Sequence, residues 1–228
     1  MAKVLIGVGQ DAKNSEAPTG GLAEMDLPLS VALYCKAELV RHGVSVQIAR
    51  EGGGEDCMLE EIRACNVYSP DAAIAIHICC NGRSGFAIYH TRYGGVGKTL
   101  AKNVEEEVKK IGQNSHGLKI CVNDEGRDDF AFIRGTKCPA VVLEAGFPDA
   151  EDRELLGEPG EQRRFGMACA KGILRTLGIT WRPDNDSTVK NSMDIILEKT
   201  GIEQHAVDYL LEYPHGKELV IKLAAAME

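Results

Sequence analysis

Two apolar segments of the chain each end in a side chain that takes part in hydrolysis in many enzymes. Residues 140–147 carry Glu144 behind a run of aliphatic residues, and residues 71–77 end in His77. Such runs are typical of strands that are covered on both faces of a sheet. A carboxylate or an imidazole at a strand end therefore marks a candidate site. A solvent-facing glutamate and a hydrogen-bonded core histidine are the structural alternatives.

Gln10 and Glu24 lie near the ends of other predicted elements. Residues 4–8 predict a strand that leads into a loop containing Gln10, and Glu24 stands just ahead of an amphipathic helix that ends near Gly43. The glycines around Val8 do not match a dinucleotide-binding motif, because a polar loop rather than a helix follows them. A carboxylate ahead of a helix also favours the helix N-terminus electrostatically, which is the structural alternative for Glu24.

The remaining segments alternate between predicted strands and helices. Strands are predicted over residues 44–49, 85–90 and 131–134, and helices over residues 59–66, 97–111 and 149–177. This alternation predicts an α/β fold with an open, mostly parallel (mixed) sheet and helices on both faces. Loops at the carboxyl ends of parallel strands meet at one edge, so we expect the four polar residues above to converge there.

A histidine and two glutamates at one sheet edge suggest a zinc hydrolase. Zinc in catalytic sites takes three protein ligands and keeps one position for water. A carboxylate that is not a ligand then serves as the base. The sequence therefore predicts Zn²⁺ as the cofactor.

The length of 228 residues allows one substantial α/β domain and a small appendage. We predict a catalytic domain over residues 1–180 and a helical C-terminal segment over residues 181–228, because a polar linker with a proline follows Gly178. Apolar stripes in the last helices must be buried against the main domain, a second copy of the chain or another partner. Targeting, dimerisation as a homo-oligomer and stabilisation are the roles open to this segment.

Charge and composition exclude several classes of protein. The formal charge of -8 argues against nucleic-acid binding. No apolar stretch reaches the ~18 to 20 residues of a membrane span, and no signal peptide of the usual kind opens the sequence. We therefore expect no membrane span and synthesis in the cytoplasm. The eight cysteines have no zinc-knuckle spacing, and we expect free thiols rather than a disulfide framework.

The order of these motifs resembles that of the zinc-dependent N-acetylmuramoyl-L-alanine amidases, which cut bacterial peptidoglycan. The resemblance covers about the first four-fifths of the chain and is carried by residues 20–27, 63–66, 71–77 with Asn81, 132–136 and 139–147. It implies that Glu24 and His77 ligate zinc and that Glu144 acts on the attacking water. Asn81 and Arg83, just after the second ligand, are candidate substrate contacts, with loop stabilisation as the alternative.

Position 10 departs from the family pattern. The family has a glycine-histidine pair after the first strand, and here Gly9 is followed by Gln10. A neutral amide oxygen is a poorer zinc ligand than imidazole. Either Gln10 ligates weakly, or Asp11 or the more remote His116 completes the site, or the site has lost its metal. We favour retained catalysis, because the other three positions are intact.

The resemblance implies hydrolysis of the amide bond between N-acetylmuramic acid and L-alanine in peptidoglycan. A phage endolysin or a bacterial autolysin that acts on the cell wall after release fits this expectation. The alternative is a non-catalytic peptidoglycan-binding or scaffold protein with a degenerate metal site. The other histidines have no comparable context and are predicted to lie at the surface or at an interface: His42, His90, His205 and His215.

Overall fold

The computed structural model describes residues 1–8, 27–49, 57–79, 85–146, 159–183, 187–211, 213 and 215–227. The strands are β1 (Lys3–Val8), β2 (Ser45–Ala49), β3 (Ala72–Cys79), β4 (Gly85–His90), β5 (Ser115–Lys119) and β6 (Ala140–Gly146). The helices are α1 (Leu27–Arg41), α2 (Cys57–Tyr68), α3 (Gly95–Lys110), α4 (Ala131–Gly135), α5 (Pro159–Thr176), α6 (Ser187–Thr200), α7 (Gln204–Leu211) and α8 (Gly216–Met227).

The six strands form one mixed sheet in the order β2-β1-β3-β6-β4-β5. The pairs β1–β2, β1–β3 and β3–β6 are parallel, whereas β4 runs antiparallel to β6 and parallel to β5. The predicted α/β class with a mostly parallel sheet is confirmed. Because β1, β3 and β6 are neighbours with the same direction, their carboxyl ends meet at one edge.

Helices α1, α3 and α5 cover one face of the sheet and enclose the larger core. Aliphatic side chains at alternate positions of β1, β3 and β6 point into it, as the period of two in a strand requires. Phe86 of β4 and Phe165 of α5 meet edge to face with ring centroids 6.4 Å apart. Two glycines of α5, Gly166 and Gly172, let this helix lie directly against the backbones of α1 and α3.

Helices α2 and α4 cover the other face with a smaller core. Its buried residues are Leu5, Ala49, Cys65, Ala73, Ala75, Phe132, Ile133, Ala140 and Val142. The sheet contributes mostly small side chains here, so α2 and α4 pack close to the strands. On this face, the residues of β3 and β6 that follow Ala75 and Val142 lie at the carboxyl edge of the sheet.

Two elements differ from the sequence-based prediction. Residues 131–134 form a helix rather than a strand, because the Arg134 and Thr136 amides donate to the Phe130 and Phe132 carbonyls four residues back. The Arg134 guanidinium also donates to the Asp129 carbonyl at 2.8 Å and fixes the segment that enters the helix. Strand β5 was not predicted; it is short, lies at the sheet edge and contains Gly117 at φ +86°.

Three C-terminal helices pack around a small core of their own. Ile196, Val207, Val220 and Ala224 are its buried members. The division of the chain into residues 1–180 and 181–228 stays a prediction. Within the part of the chain that the structure describes, no helix combines the length and the apolar character that a membrane span requires.

Candidate active site

His77 and Glu144 are direct partners across the parallel strands β3 and β6. Paired positions of neighbouring strands point to the same side of a sheet, and neighbouring strands lie about 4.8 Å apart. The imidazole and the carboxylate therefore stand side by side at the carboxyl edge. The structure confirms that these two strand-end residues, 67 positions apart in the sequence, belong to one place in the fold.

Both side chains extend from the face that α2 and α4 cover. Ala73 and Ala75 precede His77 on this face, and Ala140 and Val142 precede Glu144. Each site residue is partly buried, and the Nε2 atom of His77 is buried from solvent. The candidate site therefore lies next to the smaller core, at the carboxyl edge of the sheet.

A compact loop formed by residues 121–129 lies beside Glu144. The Cys121 thiol donates to an Asp129 carboxylate oxygen at 3.6 Å, and the Asp129 amide donates to the Cys121 carbonyl at 2.9 Å. Burial raises the pKa of the Cys121 thiol, and so do its hydrogen bond to Asp129, the Asp129 charge and the Glu144 charge. Glu144 is thus near enough to this loop for its charge to act on the thiol.

Hydrogen bonds to Asp128 hold the 121–129 loop in place. Thr91 Oγ1 donates to one Asp128 oxygen at 2.6 Å, and the Arg92 amide donates to the other at 2.8 Å. Within the loop, Asn123 Oδ1 accepts from the amides of Glu125 and Arg127. None of these loop residues was predicted to belong to the site.

Glu61 of α2 is a buried carboxylate at the end of β1, with 4% of its surface exposed. Its Oε1 accepts a hydrogen bond from the Val8 amide at 3.0 Å, and its Oε2 lies against Gly7. Gly7 pairs with Ala75, two residues before His77 on the same face. Glu61 therefore fixes the last residue of β1 next to the strand that carries His77.

Burial raises the pKa of Glu61 to about 7, against the opposing effect of the hydrogen bond from Val8. Glu61 was not among the predicted site residues. The signal for it was its position in α2, because Glu61 stands four residues before Cys65 and so shares the buried face of the helix. An acid on the apolar face of an amphipathic helix is uncommon enough to mark a candidate functional residue.

Five residues predicted for the site or its surroundings lie outside the described residues: Gln10, Asp11, Glu24, Asn81 and Arg83. Their roles stay predictions. The elements that flank them are described. β1 ends at Val8, which pairs with Ile76 directly before His77, so the chain leaves β1 beside His77. α1 runs back to the opposite edge, where Ser45 of β2 donates to Ala2, so its first residue, Leu27, lies at the site edge.

His116 lies on β5, two strands beyond β6. Its Nε2 atom stands over Gly85, 3.2 Å from the position that a Cβ would take there. Among the described residues, no three histidine, cysteine, aspartate or glutamate side chains are grouped as a metal site requires. His116 thus does not join His77 and Glu144 in such a group.

Two of the histidines predicted to lie at the surface or at an interface are buried within this chain. His42 lies in the core, where its Nδ1 bonds to the Glu38 carbonyl at 2.8 Å and its Nε2 accepts from the Arg182 amide at 2.9 Å. His90 is 4% exposed, and its Nδ1 bonds to the Thr91 carbonyl. Hydrogen bonds satisfy these rings inside the fold, so the prediction was wrong for both. His205 and His215 are exposed, as predicted.

The fold and the site together define a class of protein. A mixed α/β sheet presents a histidine and a glutamate side by side at its carboxyl edge, which is the arrangement of a hydrolase that activates water. A comparison with protein-family models gives the family. Residues 4–175 match the model of the N-acetylmuramoyl-L-alanine amidase family Amidase_3. The chain belongs to this family, and the matched region includes both His77 and Glu144.

Individual relatives agree with this assignment. The chain is 27% identical over 188 residues to N-acetylmuramoyl-L-alanine amidase CwlM of Bacillus licheniformis, which covers 79% of this chain and 70% of that protein. It is 26% identical to a sporulation-specific N-acetylmuramoyl-L-alanine amidase of Bacillus subtilis, over 65% of this chain and 57% of the relative. The chain thus spans little more than half of the second relative.

Solved structures show the same fold. The catalytic domain of CwlV, an N-acetylmuramoyl-L-alanine amidase from Bacillus (Paenibacillus) polymyxa, superposes with a TM-score of 0.65 at 22% identity. The match covers 79% of this chain and 100% of that domain. The α/β architecture seen here is therefore that of an amidase catalytic domain.

Proposed function

We propose that the chain hydrolyses the amide bond that joins N-acetylmuramic acid to L-alanine in peptidoglycan. Membership of the amidase family supports this proposal. The observation that carries it is the pairing of His77 with Glu144 at the carboxyl edge of the sheet. This pairing puts a potential ligand and a potential base within reach of one bound substrate.

The proposed reaction depends on Zn²⁺ held by His77, Glu24 and Gln10. The described part of this set fits the ion, because the imidazole of His77 is a preferred zinc ligand and its Nε2 atom is buried at the strand end. β1 ends at Val8 beside the residue before His77, so the segment that carries Gln10 starts at the same edge. When bound, zinc supplies a Lewis acid that polarises the scissile carbonyl and makes water more acidic.

Glu144 is the proposed general base and then the general acid. Its carboxylate takes a proton from the water that attacks the lactyl carbonyl carbon. The same proton then passes to the nitrogen of L-alanine as the carbon–nitrogen bond breaks, which leaves a free carboxyl group and a free amine. Glu144 is partly buried at the strand end, and its charge acts on the Cys121 thiol of the nearby 121–129 loop.

Release of amino groups from peptidoglycan tests this function. The purified chain should release N-terminal L-alanine, a chelator should stop the release, and added zinc should restore it. The rival function is non-catalytic peptidoglycan binding with a degenerate site, which Gln10 favours. Polymer binding without amine release, even with zinc present in excess, would support the rival and exclude the enzyme.

The weak ligand at position 10 gives a prediction for the metal. Gln10→His should tighten zinc binding by at least about tenfold, because imidazole replaces a neutral amide oxygen. Competition with a chromophoric chelator measures the zinc affinity of both proteins. Gln47→His is the control, because Gln47 lies on β2 at the far side of β1 from His77. Equal affinities for the wild type and Gln10→His would place residue 10 outside the zinc site.

A further inference from the structure

Two cysteine side chains from distant parts of the sequence touch each other on the face of the sheet that α2 and α4 cover, towards the edge opposite the candidate site. The Sγ atoms of Cys65 and Cys138 are 3.7 Å apart. Cys65 lies in α2 and is fully buried, whereas Cys138 lies just before β6 and is partly exposed. Solvent therefore reaches Cys138, whereas Cys65 is shielded from solvent and lies against the Cys138 sulfur.

Hydrogen bonds next to both thiols hold them in this relation. The Asn66 side chain donates to the Gly135 carbonyl at 2.9 Å and accepts from the Lys137 amide at 2.8 Å. Asn66 follows Cys65 and Lys137 precedes Cys138, so this amide clamps the two backbones together beside the thiols. Gly135 lies so close to α2 that a Cβ there would be 3.0 Å from Ile62. The contact between the thiols is therefore part of a tight interface.

The two thiols differ in acidity. The hydrogen bond between the two thiols lowers the pKa of Cys138, against the opposing effect of burial. The same hydrogen bond, together with burial, raises the pKa of Cys65. The thiolate is the nucleophile in thiol–disulfide exchange, so the partly exposed Cys138 is the attacking residue and Cys65 is the resolving residue.

We propose that Cys65 and Cys138 form a dithiol site that a low-molecular-weight disulfide oxidises to an intramolecular disulfide between α2 and the start of β6. The Cys138 thiolate attacks the small disulfide and releases one thiol, which leaves a mixed disulfide on Cys138. Cys65 then loses its proton, attacks the Cys138 sulfur and releases the second thiol. One small disulfide is reduced to two thiols as the protein dithiol is oxidised.

Three other cysteines whose side chains the structure describes lack this combination of contact and access: Cys35, Cys121 and Cys169. Burial raises the pKa of Cys35 and raises that of Cys169 to about 12, and both residues lie fully inside the core between α1 and α5. Cys121 is partly exposed but bonds to the Asp129 carboxylate, which raises its pKa further. Rapid exchange is therefore expected at the Cys65–Cys138 site and not at these three thiols.

The disulfide would join the two elements that carry the buried acid Glu61 and the candidate base Glu144. It would close a loop of more than 70 residues, and a cross-link over a long loop restricts the unfolded chain most. We expect oxidation to raise Tm by roughly 5–10 °C. This proposal is independent of the proposed amidase function, because the cross-link and the Tm are measured without peptidoglycan.

Treatment of the full chain with oxidised glutathione tests the proposal. Free thiols are then blocked by alkylation, and peptide mapping identifies each cysteine. The wild type should contain a Cys65–Cys138 cross-link that a reductant removes, and its Tm should rise on oxidation. Cys121→Ser keeps the pair and should give the same cross-link.

Two variants separate the attacking residue from the resolving one. Cys65→Ser should accumulate a glutathione adduct on Cys138 that does not resolve, and Cys138→Ser should leave Cys65 unmodified. Neither variant should show the rise in Tm. A lasting glutathione adduct on wild-type Cys138, a cross-link that avoids these two residues, or no reaction at Cys138 would each overturn the proposal.

Discussion

At the scale of single residues, the buried acid Glu61 controls how the end of β1 responds to pH. Its carboxyl accepts the Val8 amide while helix α2 and the sheet exclude water from it. The folded protein therefore keeps the Glu61 proton up to about pH 7, its raised pKa. In the unfolded chain the same carboxyl loses its proton near the ordinary value of 4.5.

The raised pKa gives a prediction for stability. Between about pH 4.5 and pH 7 the unfolded chain binds fewer protons than the folded protein, so the Glu61 contribution to stability falls as pH rises. Glu61→Gln keeps an oxygen that can accept from the Val8 amide. Because glutamine does not ionise, the variant should lack this loss of stability with rising pH. From about pH 5 to about pH 8, the difference in unfolding free energy between the variant and the wild type should shift in favour of the variant by on the order of 2–3 kcal/mol. Urea unfolding at both pH values measures the gain.

Glu38 provides a matched control with the opposite shift. Burial alone would raise the pKa of Glu38, but hydrogen bonds from Arg41 and Trp181 and nearby positive charge lower it overall. Its ionised form therefore stabilises the fold at every pH above 4.5, and this contribution is lost only at lower pH. Glu38→Gln should lower stability by a similar amount at both pH values. A pH-independent effect of Glu61→Gln would mean that Glu61 is ionised throughout the range.

The sequence identified His77 and Glu144 because each polar residue ends an apolar run, which leaves it at the edge of a buried strand. Glu61 was not identified, although its spacing from Cys65 puts it on the buried face of α2, because only the three-dimensional packing shows that its carboxylate turns inward. The buried His42 and His90 were missed for the same reason. Their carbonyl and amide partners come from backbone positions that no side-chain pattern records.

At the scale of elements, helix α5 depends on two glycines for its place against the sheet. A Cβ at Gly172 would lie 2.5 Å from the Val104 Cα atom of α3, and one at Gly166 would lie 2.6 Å from the Val31 carbonyl oxygen of α1. Backbone atoms cannot move aside as a flexible side chain can. The close packing of α5 on both neighbours therefore requires glycine at these positions.

Gly172→Ala should destabilise the fold by about 2–3 kcal/mol, because α5 and α3 must separate to admit the methyl group. Gly97→Ala is the control, since a Cβ there would meet its nearest neighbours at 3.6 Å, an ordinary contact distance. We expect Gly97→Ala to be neutral or to stabilise helix α3 by at most about 1 kcal/mol. Urea unfolding compares the two variants. Equal effects would contradict the close approach of α5 to α3.

The order of elements was predictable where the chain gives a clear periodicity, as in β1, α1, β3 and β6. It was not predictable at residues 131–134, where a short apolar run fits a strand or a helix equally well. Hydrogen bonds from Arg134 and Thr136 decide in favour of the helix. Strand β5 lacks an apolar alternation because it lies at the sheet edge and contains Gly117, so only its pairing with β4 reveals it.

At the scale of the whole molecule, the segment that joins the sheet domain to the C-terminal helices is anchored to α1. The Trp181 indole donates to the Glu38 carboxylate at 2.6 Å, and the Lys171 ammonium lies 4.1 Å from the centre of the indole ring. The Arg182 amide donates to His42 Nε2. Residues 181 and 182 thus contact the C-terminal end of α1 and, through Lys171, helix α5.

Two truncations test the importance of this anchor. A chain that ends after Pro183 keeps Trp181 and Arg182, whereas a chain that ends after Thr180 loses both. We expect the shorter chain to be less stable by about 2–4 kcal/mol, because it leaves Glu38 and His42 without these hydrogen bonds and removes a partly buried indole. Thermal unfolding of both truncated chains measures the difference. Identical Tm values would show that the anchor does not stabilise the domain.

The α/β class and the mostly parallel sheet followed from the alternation of strands and helices, and the order of motifs led to the amidase family that the comparison with family models established. The strand order and the antiparallel direction of β4 did not follow, because pairing depends on contacts between distant segments. The register of β3 against β6 shows this dependence most clearly. The direct pairing of His77 with Glu144 is a property of the assembled sheet, and no local pattern specifies it.

Glu144 is proposed to move the proton during peptidoglycan hydrolysis, while other residues hold the metal. Measurement of amine release and zinc content for the wild type and Glu144→Gln tests it most directly. We predict that the variant keeps the zinc content and Tm of the wild type and loses activity by at least about a hundredfold, as expected for removal of a general base. A Glu144→Gln protein that releases L-alanine at the wild-type rate would contradict the assignment.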